Sequence, residues 1–186
     1  MKTHSIAVLF ALVAAIIAPA QGIADQTDER LPALFETLRS TTSETIREET
    51  EDAIWTIWFA SGSDEIDRMM EEARQAVQAG ELRAAELIYS EVIEKAPLYS
   101  EGWNRRATVR YYQRDFDGSL DDIEQTLALE PRHFGAIWGM GMILGLQKNF
   151  PNAIAAFERL LEIKPNARDA RPRIELLKQE MNKGAV

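Results

Sequence analysis

The sequence contains no cysteine, and of its two histidines, His4 and His133, only the second lies beyond the first two dozen residues. Without cysteine there is no disulfide, no thiol nucleophile and no thiolate ligand, and one imidazole cannot assemble a histidine metal cluster or a Ser-His-Asp arrangement. A hydrogen-bonded structural role is expected of His133, which sits in the turn Glu130-Pro131-Arg132-His133-Phe134. A glycine-rich phosphate loop is missing too. Gly135, Gly139, Gly141 and Gly145 lie in a helix-period segment with no Lys-Ser/Thr follow-up and no preceding strand, and they read as close-packing positions. Positive charge is in deficit, with 21 basic against 30 acidic residues and a net charge of -9, so the field of the chain repels nucleic acid and anionic lipid. The neighbouring carboxylates Asp121-Asp122 and Glu48-Glu49 point in different directions on a helix and read as solvated faces. These absences leave no catalytic residue, no metal ligand and no cofactor site to assign, and a non-enzymatic protein is expected.

Long hydrophobic runs are also scarce. The one present, residues 6–18, follows Lys2 and precedes the small-residue sequences Ala18-Pro19-Ala20 and Gly22-Ile23-Ala24. That order is the pattern of a secretory signal peptide, assigned to residues 1–24. The run is 13 residues long, whereas a spanning helix needs roughly 20, so an uncleaved anchor is the lesser alternative. The expectation is an exported protein, in the periplasm of a Gram-negative bacterium, with no stable membrane insertion once the signal is removed. With no disulfide available in an oxidising compartment, stability must come from burying apolar surface.

What the sequence does contain is a repeat. Pro97, Pro131 and Pro165 stand 34 residues apart, each following a helical stretch that ends in apolar residues. Proline cannot continue a helix without losing a hydrogen bond and clashing with the preceding turn, so each closes a unit. The units are residues 66–99, 100–133 and 134–167. At this period Ala73, Ala107 and Gly141 align, as do Ala85, Ser119 and Ala153, and Tyr89, Ile123 and Phe157. Two small positions allow helices to approach and the third fills the space between them. In mid-unit, Gly80-Glu81-Leu82, residues 114–118 and residues 148–152 combine turn residues with one apolar anchor. Each unit is therefore helix, turn, helix, and the expected fold class is all-α.

The middle unit, with residues 103–107, Tyr111-Tyr112, Asp115-Phe116-Asp117, Leu120 and Pro131, resembles the tetratricopeptide repeat (TPR) family. The third is similar through Gly141, Phe150, Ala153, Phe157 and Pro165. The first departs from the pattern, with Met69 in an aromatic position and Glu72 in an apolar one. The resemblance implies an α-solenoid whose concave groove is lined by the first helix of each repeat. Residues 168–186 are expected to form a capping helix and tail, with Ala170, Ile174, Leu177 and Met181 on one stripe. Residues 25–65 read as a divergent helix pair: Leu31, Leu34, Phe35 and Leu38 on a short helix, and Ile46, Ala53, Ile54, Ile57 and Trp58 on a longer one that Ser40-Thr41-Thr42-Ser43 can cap. Stacked one period upstream, the pair extends the solenoid. Folded back instead, it would plug the groove with Trp55, Trp58 and Phe59.

By the family's geometry the groove takes Met70 and Arg74, then Asn104, Thr108, Tyr111 and Tyr112, then Trp138, Met142 and Leu146, a lining more aromatic than charged. Some members grip a chaperone's terminal carboxylate with a lysine-asparagine-arginine clamp. Its equivalents here, Met70, Arg74, Arg105, Gly135 and Gly139, do not match. Arg106 and Arg110 occupy positions the family usually fills with apolar residues, so they need partners such as Asp122 or Glu94, or else form a carboxylate site. The implied function is an adaptor or assembly factor that binds a peptide segment of a cell-envelope protein in the groove. The alternatives are a self-associating structural homo-oligomer and, below it, a small-ligand binder or enzyme using Arg106, Arg110 and His133.

Overall fold

A computed structural model describes residues 25–183, and the segment assigned as signal peptide lies outside them. After a short 3-10 turn at Asp25–Thr27, nine α-helices follow among the described residues: α1 (Leu31–Ser40), α2 (Glu44–Phe59), α3 (Asp64–Gln78), α4 (Leu82–Lys95), α5 (Ser100–Tyr112), α6 (Phe116–Leu129), α7 (Phe134–Leu146), α8 (Phe150–Ile163) and α9 (Ala170–Lys183). None of these helices is long and apolar enough to cross a membrane.

Helices α3/α4, α5/α6 and α7/α8 are antiparallel pairs, and each pair ends in the turn that carries one of the three periodic prolines. The aligned small positions are where the pairs touch. Ala73, Ala85, Ala107, Ser119, Gly141 and Ala153 are all buried, as are Tyr89, Ile123 and Phe157. In the last pair the fit is tight, since a Cβ on Gly141 would stand 2.8 Å from the Phe157 ring. A larger filler in α8 is matched by a smaller residue in α7. In the middle pair the Ser119 hydroxyl donates to the Ala107 carbonyl at 2.7 Å, so a polar side chain is buried without an orphaned hydrogen.

Each pair turns through the same closure. Gly80, Arg114 and Lys148, themselves 34 residues apart, have φ of 78°, 65° and 60°. Gly80 N–H donates to Val77 O and Glu81 N–H to Ala76 O; Arg114 and Asp115 repeat this onto Tyr111 and Arg110, and Lys148 and Asn149 onto Gly145 and Leu144. This double closure satisfies the last carbonyls of α3, α5 and α7 and requires a left-handed residue, which glycine adopts freely and arginine and lysine do not.

At the carboxyl end, α9 buries Ala170, Ile174 and Leu177 against α8. It begins at Ala170, the first residue of the stripe and two residues into the segment assigned to the cap, because residues 164–169 form turns.

The amino-terminal segment carries α1 and α2, with Ser43 capping α2 through the Ile46 amide, but this pair does not extend the stack upstream of α3. Instead the aromatic end of α2 sits against the amino-terminal ends of α5 and α7, and α1 reaches α8. The cause is steric and aromatic. Trp55 and Trp58 need a notch rather than a flat helix face, and α7 offers one at Gly135, where a Cβ would meet Trp55 at 2.9 Å. Trp55 packs edge-on to Phe134 at 5.1 Å, Tyr99 donates its hydroxyl hydrogen to Phe59 O at 2.8 Å, and Arg132 lies over the Phe35 ring at 4.3 Å. Lys164 bonds Glu51 at 2.5 Å and Arg168 pairs with Glu44, tying the pair to the α8–α9 turn.

Candidate functional site

The amino-terminal pair covers the opening turns of α5 and α7 and leaves their carboxyl-terminal halves accessible. Between α5, α6 and α7 lies a cavity of about 220 Å³. Asn104, Thr108, Tyr111, Tyr112, Trp138 and Met142, six of the nine residues assigned to the groove, line it together. No charged side chain is among its lining residues. Its depth comes from small residues: Ala107, Ser119, Gly135, Ala136 and Gly139 form part of the wall, and a Cβ on Gly139 would approach Ile123 to 3.3 Å.

The other three assigned residues lie elsewhere. Met70 and Arg74 border a second hollow with Phe59, Asp67, Glu71, Tyr89 and Arg105, because the end of α2 sits between them and the main cavity. Arg105 lies over the Phe59 ring at 4.8 Å and closes that partition. Arg74 is held by Glu71, whose carboxyl is lowered to about 2 by hydrogen bonds from Arg74 and Gln75. Leu146 is 55% exposed, outside the cavity lining. Trp138 is partly buried, edge-on to Phe157 at 5.1 Å, and it lines both the main cavity and a hollow beside Trp55. The continuous groove implied by the resemblance is therefore divided, and it is the aromatic end of α2 that divides it.

Asn104 is positioned by a buried network. Its amide donates to Glu101 Oε2 at 2.9 Å, Arg105 donates to Glu101 Oε1 at 2.5 Å, and His133 Nε2 lies 3.0 Å from Glu101 Oε2. The other imidazole nitrogen, Nδ1, accepts the Ala136 amide at 3.1 Å and caps α7, which places the ring hydrogen on Nε2 facing Glu101. Burial opposes the charge on Glu101, but Arg105 and the His133 hydrogen bond outweigh it and hold the carboxyl below its ordinary range. The fully buried His133 is thus a helix cap and a floor for Trp58.

Arg106 and Arg110 have no free face for a ligand carboxylate. Arg106 forks onto Asp122 at 2.9 and 2.7 Å and reaches Ser90 at 3.1 Å, while Arg110 bonds Asp122 at 3.0 Å, Gly118 O at 3.1 Å and Glu86 at 3.3 Å. Asp122 is the partner that the sequence suggested, and it is buried, which corrects the solvated face read for Asp121-Asp122: only Asp121 is exposed. The second carboxylate is Glu86, on α4, rather than Glu94. The arginines bond Asp122 and Glu86 whereas His133 bonds Glu101, so the three residues do not converge on one centre. No group of residues able to hold a metal is found among the described residues.

Three comparisons bear on this geometry. A tetratricopeptide repeat family model matches residues 104–168. A TPR repeat-containing protein of Rhizobium etli is 32% identical over 166 residues, covering 89% of this chain and 81% of the relative. Among solved structures, the first TPR domain of Spaghetti (RPAP3) bound to an HSP90 peptide aligns with a TM-score of 0.62 at 19% identity, covering 64% of this chain and 95% of that one. The Yersinia enterocolitica type III secretion chaperone SycD, in complex with a peptide of the translocator YopD, aligns with a TM-score of 0.60 at 12% identity, covering 64% and 96%. The 34-residue period, the stacked helix pairs and the 32% identity lead to one conclusion: the chain is a member of the tetratricopeptide repeat family, folded as an all-α helical repeat solenoid.

Proposed function

We propose that this protein is a non-enzymatic interaction module that binds a peptide segment of a partner protein in the cavity between α5, α6 and α7, and that it works outside the cytoplasmic membrane as an adaptor or assembly factor for a cell-envelope protein. The observation that carries the reading is the cavity itself, uncharged, walled by aromatic and thioether side chains, with Asn104, Thr108 and Ser119 among its polar groups. Such a surface suits an apolar or aromatic side chain of an extended or helical peptide. The peptide complexes of Spaghetti and SycD, which share the fold, support the same use. Export rests on the signal-peptide pattern of residues 1–24.

The test is affinity capture from periplasmic extract with residues 25–186, beside a Tyr112→Ala/Met142→Ala variant. Tyr112 is 58% exposed, so its loss leaves the core intact. A partner held by the parent and released by the variant is the expected result; identical capture by both sinks the cavity as the site. Amino-terminal sequencing of the periplasmic protein checks export, with a first residue near position 25 expected.

Self-association is the second reading, favoured by the exposure of Tyr112 and Leu146 at neighbouring ends of α5 and α7. A sedimentation coefficient that does not change with concentration would remove it.

A further inference from the structure

The seam between α2 and the α8–α9 turn gathers positive charge on a chain whose net charge is -9. Glu44, Arg47 and Glu51 follow one another at helical spacing on α2, so they face the turn as one stripe. The turn and the start of α9 supply Lys164, Arg168 and Arg171. Lys164 takes Glu51 and Arg168 takes Glu44. Arg47, between those two carboxylates, has no ion pair among the described residues, and its Nε–H is buried without an acceptor. Arg171 has one contact, a marginal 3.4 Å approach to Pro165 O. Asp169, a carboxylate of the same turn, borders the adjoining hollow beside Trp55 and Trp138, and Glu175 on α9 pairs with Lys178.

A cavity of about 310 Å³ opens at this seam, lined by Arg47, Pro165, Asn166, Ala167, Arg168 and Arg171. Its wall contains three guanidinium groups and no carboxylate. Arg47 lies in the opening turn of α2 and Arg171 in that of α9, where the helix dipole disfavours a cation unless an anion is beside it. The Arg47 Nε–H, closed to solvent and without an acceptor, is likewise unfavourable until the side chain turns to meet an oxygen. Both features are relieved by the same ligand. We propose that this seam is an oxyanion site, in which a phosphate or carboxylate group is held by Arg47 and Arg171 and joined by Arg168, whose exposed pair with Glu44 exchanges at small cost.

The site lies between the amino-terminal pair and the carboxyl-terminal cap, so its occupation would pin α2 at the edge of the groove. It is separate from the cavity assigned to the peptide: the two share no lining residue.

The test follows the arginine Nε–H resonances of the 15N-labelled chain while inorganic phosphate, and in a second arm acetate, replaces chloride at constant ionic strength. The Arg47 signal, identified by its loss in Arg47→Lys, should shift saturably. Arg171→Met, at an exposed position, should weaken the apparent affinity at least tenfold, whereas Arg83→Met on the exposed start of α4 should leave it unchanged; circular dichroism confirms that all are folded. A response to phosphate alone assigns a phosphate group, and one to acetate alone assigns a carboxylate. No saturable shift with either anion, or equal weakening by Arg171→Met and Arg83→Met, overturns the proposal.

Discussion

The indole of Trp58 lies flat on the imidazole of His133, with ring centroids 4.2 Å apart and planes 12° from parallel. One ring comes from the amino-terminal pair and the other from the cap of α7, so this contact joins the pair to the solenoid. Phe134 adds a third ring at 4.9 Å, and Phe35 a fourth at 5.9 Å.

Trp58→Ala should cost about 3–5 kcal/mol, the usual loss for a buried tryptophan. Because the indole docks α1 and α2 rather than a repeat, amide exchange should rise first in those helices and only later in α5 to α8. Trp58→Phe should cost less, since the buried Trp58 Nε1–H has no acceptor and phenylalanine removes it. Exchange measured by mass spectrometry on both variants checks the order of opening.

Glu101 ties the same region to pH. Its folded-state carboxyl is held below the ordinary value of 4.5. The stabilisation it contributes is therefore fully present above about pH 4.5 and is lost as the pH falls through the lowered folded value. In Glu101→Gln the acid limb of the stability profile should flatten. At neutral pH that variant should lose on the order of 2 kcal/mol, because Arg105 and His133 keep their donors and lose a charged acceptor. Urea denaturation between pH 3 and 7 measures both effects; an unchanged acid limb would contradict the assignment.

Asp122 holds two arginines between α4, α5 and α6. Asp122→Ala leaves both guanidinium groups short of a carboxylate in a largely buried setting and should destabilise by about 3–5 kcal/mol. Arg106→Met/Arg110→Met/Asp122→Leu, which removes both guanidinium groups together with Asp122 and leaves Glu86 to Arg83 and Gln113, should recover most of that loss. Urea midpoints of the two variants decide the matter.

Lys148 is held at φ 60° by the closure of α7. Lys148→Gly should stabilise by about 0.5–1 kcal/mol, and Gly80→Ala, at φ 78°, should destabilise by a similar amount. Opposite shifts of the urea midpoint at unchanged slope are expected, although the two sites occupy the same position of their repeats.

Much of this architecture is legible in local chemistry. The 34-residue proline spacing determines three helix pairs, and the small and large positions at fixed offsets determine which faces meet, because repeat contacts are between neighbours and recur at the period of the sequence. The left-handed turn position was open to the same arithmetic, since Gly80, Arg114 and Lys148 share the period, but two of the three carry residues that do not announce a positive φ.

Where α1 and α2 go was not legible. Their amphipathic pattern suits stacking upstream of α3 as well as folding back, and the choice depends on a notch at Gly135 that exists only once α5, α7 and the α8–α9 turn are assembled. The same holds for the site. Sequence alone determined a groove-forming repeat with a soft, aromatic lining. Tertiary structure decided that the end of α2 divides this groove, that Met70 and Arg74 fall on the far side of it, and that Arg47 meets Arg168 and Arg171. Contacts within a repeat are set by residues a few turns apart, whereas Arg47 and Arg171 stand far apart along the chain, and no periodicity links positions that meet only because a hairpin crosses the ends of other helices.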